Sequence, residues 1–216
     1  MSYQLEWNAS PNFTPGNQTQ AFYGQPRSIK FGAGHWWNTP EAGAEHNGIV
    51  SLFKNPARQA SAHAVLSNGR VTEMVRDGDT AWCTNNANPY TYAIETDPRI
   101  MWRWQPGVSQ AQRNLGNAIF ETLAEYIADK RYHALQWFPH NHWWQTQCNP
   151  INWNEVMIRA QQIRAQKDTP VQPEWQKNLK DIGNTELLIK RDGAPLRNLA
   201  NPVEVIKTFA KGTPME

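Results

Sequence analysis

The apolar positions change period several times along this chain, and each change marks an element. Over residues 110–130, Leu115, Ile119, Leu123, Tyr126 and Ile127 recur at intervals of three and four. That spacing lays one apolar stripe along a long helix. A second long helix is predicted over 152–166, with Val156 and Ile163 facing inward. A shorter one is predicted over 41–53, with Thr39 as N-cap and Pro40 in the first turn; Asn55 and Pro56 end it.

Strands are predicted where the helical period is absent. Residues 28–34 read as a short strand running directly into His35. Residues 62–66 and 70–75 flank Ser67-Asn68-Gly69, and Asn-Gly between two β-prone runs is a hairpin signal. The run YTYAIET at 90–96 has the aromatic and β-branched content of a buried strand. Strands alternating with helices predict an α/β domain over 28–167, a mixed central β-sheet flanked by helices. Residues 1–27 are rich in Asn, Pro, Gln and Gly, and read as an extended arm anchored by Trp7, Phe13, Phe22 and Tyr23. After Lys167, DTPVQPEWQ has two prolines and no period. The runs LLIK, PLRNL and VEVIKTF follow it, so 168–216 read as a linker and a small, incomplete β-rich C-terminal module.

Composition narrows the function classes. Hydrophobic residues make up 39% and charged residues 19%, the balance of a folded globular protein. A formal net charge of +2 lacks the concentrated Lys/Arg surface that phosphate binding needs, so no nucleic-acid partner is expected. No run is long and apolar enough for a membrane span, and the first residues lack the pattern of a secretory signal. A monomer is expected. Two cysteines, Cys83 and Cys148, do not make a disulfide framework.

Candidate chemistry centres on the histidines. The run PHNHWWQTQC supplies imidazole and thiolate within one loop, with His140 and His142 both upstream of Cys148. Zinc favours these donors, and a hydrolytic site uses three protein ligands with one position open. His35, at the end of a predicted strand, is a candidate for the further ligand, because α/β sheets expose functional side chains there. His142 alternates with His140, so on an extended segment it points the other way. His63, within a predicted strand, reads as a buried histidine or as a residue lining a cleft.

The segments IKFGAGHWWN, SAHAVLSNGRV, YAIE and PHNHWWQTQC occur in the order and approximate spacing of type 2 N-acetylmuramoyl-L-alanine amidases. That family includes phage endolysins and the peptidoglycan recognition proteins, and the resemblance covers roughly residues 25 to 167. It implies Zn2+ held by His35, His140 and Cys148, with Glu95 as the catalytic carboxylate and Thr146 beside the metal. Trp36, Trp37, Trp143 and Trp144 flank these positions and become candidate cleft walls, together with His63. The chain departs from the family where Cys148 is followed by Asn149-Pro150 and not Pro-Gly. Ala62 stands where some members have Tyr, and Cys83 where many have His.

What the resemblance implies is hydrolysis of the amide between N-acetylmuramic acid and L-alanine, with bacterial peptidoglycan as the partner. A non-catalytic peptidoglycan-binding module of the same fold is the alternative, and such members tend to lack the ligand found here as Cys148. The expected setting is a phage endolysin, made in the host cytoplasm and released to the wall by a holin.

Overall fold

In the computed structural model, residues 2–37, 45–146, 148, 151–169, 187–188 and 207–208 are described. The chain divides into two units, Met1–Thr169 and Pro170–Glu216. The first is built on eight strands: β1 (Gln4–Trp7), β2 (Phe13–Thr14), β3 (Phe31–Trp36), β4 (Ala64–Ser67), β5 (Arg70–Glu73), β6 (Thr80–Ala81), β7 (Thr91–Thr96) and β8 (Gln136–Pro139). Its helices are α1 (Gly16–Tyr23), α2 (His46–Lys54), α3 (Gln110–Asp129) and α4 (Trp153–Asp168). In the second, β9 (Leu187–Leu188) pairs antiparallel with β10 (Lys207–Thr208). Those two strands fall within the runs LLIK and VEVIKTF; PLRNL lies outside the described residues.

Six strands form the mixed central sheet in the order β1-β5-β4-β7-β3-β8. β4, β7, β3 and β8 run parallel, β5 turns back antiparallel to β4, and β1 lies parallel to β5. β2 and β6 make a separate antiparallel pair. Side chains alternate across this sheet and fill two cores. Ala64, Leu66, Tyr92, Ile94 and Trp137 face α3 and α4. Ala33, Val65 and Ala93 face the other way, against Val50 and Phe53 of α2.

The two long helices form for local reasons as well as packing ones. Ser109 and Gln112 make a reciprocal capping box at the start of α3. Asn152 caps α4 by accepting from Glu155 N. At Gly32, an added Cβ would overlap the Trp137 indole, so the missing side chain is what lets that ring lie across β3. Trp137 in turn stacks on Trp153, ring centroids 4.9 Å apart.

The N-terminal segment differs from the arm read from the sequence. β1 joins the sheet edge, and residues 16–23 form α1. Arg27 runs inward, and its guanidinium donates to the carbonyls of Asp77, Asn88, Pro89 and Thr91. Four such acceptors satisfy most of its donors, which is how a charge is tolerated there. α2 begins at His46, and the expected start at Thr39 and Pro40 lies outside the described residues.

Candidate metal centre

Strand register builds the site. His35 on β3 pairs directly with Glu95 on β7, and Gly34 pairs with Pro139, the last residue of β8. His140 follows immediately. Because Ala33 and Ala93 face the α2 side, a period of two puts His35 and Glu95 on that same face. Three neighbouring parallel strands therefore present Glu95, His35 and His140 in a row at their C-terminal ends. That edge is where open α/β sheets carry their sites.

The His35 and His140 rings lie 4.3 Å apart between centroids. Cys148 completes the group from the following loop. Its Sγ is 4.0 Å from His35 Nδ1 and accepts the Trp36 N–H at 3.4 Å. One donor atom from each of His35, His140 and Cys148 lies within 4.8 Å of the others. His35 is buried, and its Nε2 has no hydrogen-bond partner among the described residues. A buried ring nitrogen left unpaired costs energy unless something coordinates it. The donor set, two imidazoles and a thiol, is that of a zinc site with room for water. The residues present thus fit a bound zinc.

Electrostatics agree with that chemistry. Burial holds the His35 imidazole down at about 3, with His140 adding to the effect, so the ring is neutral and its lone pair free to bind. Burial likewise lowers His140. Burial, helped by the Glu95 charge, pushes the Cys148 thiol up to about 12. A coordinated cation reverses that last effect, since a ligating thiol gives up its proton. Glu95 is raised to about 8 by burial alone, the environment of a carboxyl suited to proton transfer near neutrality. The Thr146 hydroxyl accepts the Cys148 N–H at 3.2 Å, leaving its own proton to donate.

Not every residue singled out from the sequence reaches this cleft. His63 is fully buried: Nδ1 accepts the Ala93 N–H at 3.0 Å, Nε2 lies 2.9 Å from Arg27 Nη2, and the ring stacks on Tyr92. It fixes β7 from inside and cannot line the cleft. Trp37 is also a core residue, 5% exposed among Val50, Phe53 and Val65. Trp36 and Trp143 are half-buried, whereas Trp144 is 60% exposed. His142 stays outside the metal group and stacks on Phe138; residues 140–142 form a 3-10 turn and not the extended segment expected. Cys83 is half-buried against the α2-side core, its thiol pushed up to about 12 by burial.

One feature near the site was not legible in the motifs. A cavity of about 390 Å³ is lined by Thr84, Asn85, Asn86, Ala87, Tyr90, Trp143 and Trp144. The only sequence signal for it was TNNANPY, an Asn-rich run between a tryptophan-bearing turn and β7.

No family model matches the chain. Over 76 residues it is 38% identical to N-acetylmuramoyl-L-alanine amidase A of Achromobacter lyticus, a match covering 33% of this chain and 43% of that relative. The match thus spans less than half of that relative's length. Among solved structures, the Staphylococcus aureus hydrolase AmiA in complex with its ligand superposes with a TM-score of 0.55 at 13% identity, over 80% of this chain and 89% of that one. A mutant endolysin from Bacillus subtilis gives 0.51 at 15% identity, over 73% and 99%. These likenesses establish the fold, a mixed sheet flanked by helices shared with that hydrolase and that endolysin. The resemblance to the type 2 amidases read from the sequence is therefore matched by an amidase relative and by the fold.

Proposed function

We propose that this chain is a zinc-dependent N-acetylmuramoyl-L-alanine amidase, hydrolysing the amide between the lactyl group of N-acetylmuramic acid and the L-alanine of the stem peptide. One observation carries the reading: donor atoms of His35, His140 and Cys148 converge, with Glu95 in register beside His35. Zinc held by those three residues would supply Lewis acidity, lowering the pKa of water and polarising the scissile carbonyl.

The remaining steps belong to the side chains. Water attacks the carbonyl carbon, and its proton passes to the Glu95 carboxylate. The same carboxyl then gives that proton to the leaving nitrogen as the C–N bond breaks. Burial raises the Glu95 carboxyl and a zinc cation beside it would lower it again, which suits a group that takes a proton and returns it. Thr146 donates toward the developing oxyanion, an interaction worth about 3 kcal/mol where the donor is well placed. Half-buried Trp36 and Trp143 provide walls that exclude water and hold the substrate.

As part of the same reading, the protein is a phage endolysin acting on the wall after holin release; the likeness in fold to an endolysin from Bacillus subtilis supports this. The test is digestion of purified peptidoglycan followed by mass spectrometry. Amidase action frees stem peptides with an N-terminal alanine, a chelator stops it, and added zinc restores it. Glycan fragments with stem peptides still attached would contradict the proposal.

A further inference from the structure

The proposed ligand His140 is the midpoint of a segment whose two ends lie on each other. β8 ends at Pro139, and residues 140–142 fold back in one 3-10 turn. That turn lays the His142 ring on the Phe138 ring, centroids 4.1 Å apart and planes 13° from parallel. The segment from Phe138 to His142 is thereby closed into a loop, with His140 at its centre.

Two further rings brace that stack. Trp143 meets both of its members edge-on, at 5.5 Å and 83° to Phe138 and at 5.1 Å and 88° to His142. Trp143 itself packs against the α2-side core. Its backbone N–H donates to the His140 carbonyl at 3.0 Å, and the Trp144 N–H donates to the same oxygen at 3.2 Å. On the sheet side, Phe31 of β3 lies edge-on to Phe138 at 5.8 Å. Phe138 is the register partner of Ala33, two residues before His35. The loop is thus fastened both to the strand that carries the other histidine and to one of the two cores.

A ligand histidine at this place needs such bracing. A metal takes an imidazole in one ring orientation, and a loop that must first be ordered gives up affinity to do so. His140 is half-buried and follows β8, the last strand of the central sheet, so no strand flanks it on its outer side. His142 is exposed and stays outside the donor group, yet the face of its ring closes the loop around His140. We infer that His142 is a positioning residue for the metal centre, holding His140 toward His35 through its stack on Phe138. The face of the ring carries that role, and its nitrogens do not.

This inference rests on the metal centre of the amidase reading, but it is tested through zinc affinity and not through cleavage. Metal-free full-length protein is titrated with zinc against a chromophoric chelator of known affinity. His142→Ala should bind zinc about tenfold more weakly than wild type, the lower end of what losing a residue behind a ligand costs. His142→Gln keeps polarity and length without a ring, and should lose as much. His142→Phe restores a flat face without nitrogens, and should bind as wild type does. Trp7→Ala, at the far sheet edge, should also bind as wild type does. The His142 side chain is exposed, and melting curves of the metal-free variants check that they fold. Unchanged affinity in His142→Ala and His142→Gln, or an equal loss in His142→Phe, would overturn the inference. A wild type without zinc affinity would overturn it together with the metal centre. Affinities in the expected order, with no stem peptide released by the zinc-loaded protein, would uphold the positioning role and sink the amidase reading.

Discussion

His35 and Glu95 are direct register partners on adjacent parallel strands, β3 and β7, and their side chains share one face of the sheet. One residue of slip between these strands would send one of the pair to the opposite core. Tyr92 and Ile94 of β7 fill one core, Ala93 and Ala33 the other, and β3 turns only Gly32 and Gly34 toward the first, which sets that register. Packing energy thus fixes the spacing between a metal ligand and the carboxylate beside it.

Replacing the carboxylate tests the role of Glu95. Glu95→Gln keeps size and hydrogen bonding but removes the proton acceptor. Zinc content should be retained, and turnover per bound zinc on a muropeptide should fall about a hundredfold to ten-thousandfold. A melting curve run alongside separates catalysis from stability. Normal turnover per zinc in a less stable protein would make Glu95 a structural residue.

Gly32 tests the support beneath the site. A methyl group there meets the Trp137 indole, which is itself stacked on Trp153. Gly32→Ala should cost about 3 kcal/mol, the upper range of overpacking. Urea unfolding measures it, and an unchanged midpoint would show that Trp137 yields freely.

The sequence disclosed what is local. Leu115, Ile119 and Leu123 announced α3, and Asn68-Gly69 announced the β4–β5 hairpin, where Gly69 adopts φ +63°. β1 was hidden because its four residues are specified by pairing with β5, more than sixty positions away. α1, GNQTQAFY, has no apolar stripe to reveal it, and β8, QWFP, ends in a proline. The residues at the centre were read from resemblance and one loop, and three of them converge. Which tryptophans and histidines reach the cleft was not legible. Trp36 and Trp37 are adjacent in sequence, yet Trp37 is in the core and Trp36 only half-buried. His63 looks like any other histidine until Arg27 and Ala93 are seen beside it.

Acid should destabilise the fold through His46. Its ring is buried, with Nδ1 2.9 Å from Ser67 Oγ and Nε2 2.7 Å from Thr72 Oγ1. Burial, then the Arg70 charge, lowers its pKa from 6.5 to about 4. Between those values the unfolded chain binds a proton that the folded chain refuses, so stability is whole above pH 6.5 and drains away as pH falls toward 4. The loss is of order 3 kcal/mol at most. Urea unfolding of wild type and His46→Gln across that window checks it: the variant should show a shallower decline. Identical slopes would remove His46 from the acid response.

Shortening the chain tests the division after Thr169. A protein ending there keeps Lys167, whose ammonium bonds Asp129 at 2.6 Å and Glu125 at 3.1 Å, tying α4 to α3. It should fold, bind zinc and cleave a soluble muropeptide at the full-length rate. Binding to whole cell walls should weaken if residues 170–216 assist attachment. A folded, zinc-loaded truncation without activity on the soluble substrate would show that the tail takes part in chemistry.

Metal content is the most direct measure of the central claim. Protein purified without chelator is assayed by elemental analysis, wild type beside Cys148→Ser. Serine keeps the size of the side chain but replaces the soft thiolate with a hydroxyl that binds zinc poorly. The account predicts one zinc per wild-type chain, and a variant in which zinc content and lytic activity fall together. A wild-type protein free of zinc, or a Cys148→Ser protein holding its full complement, would contradict a centre made by His35, His140 and Cys148.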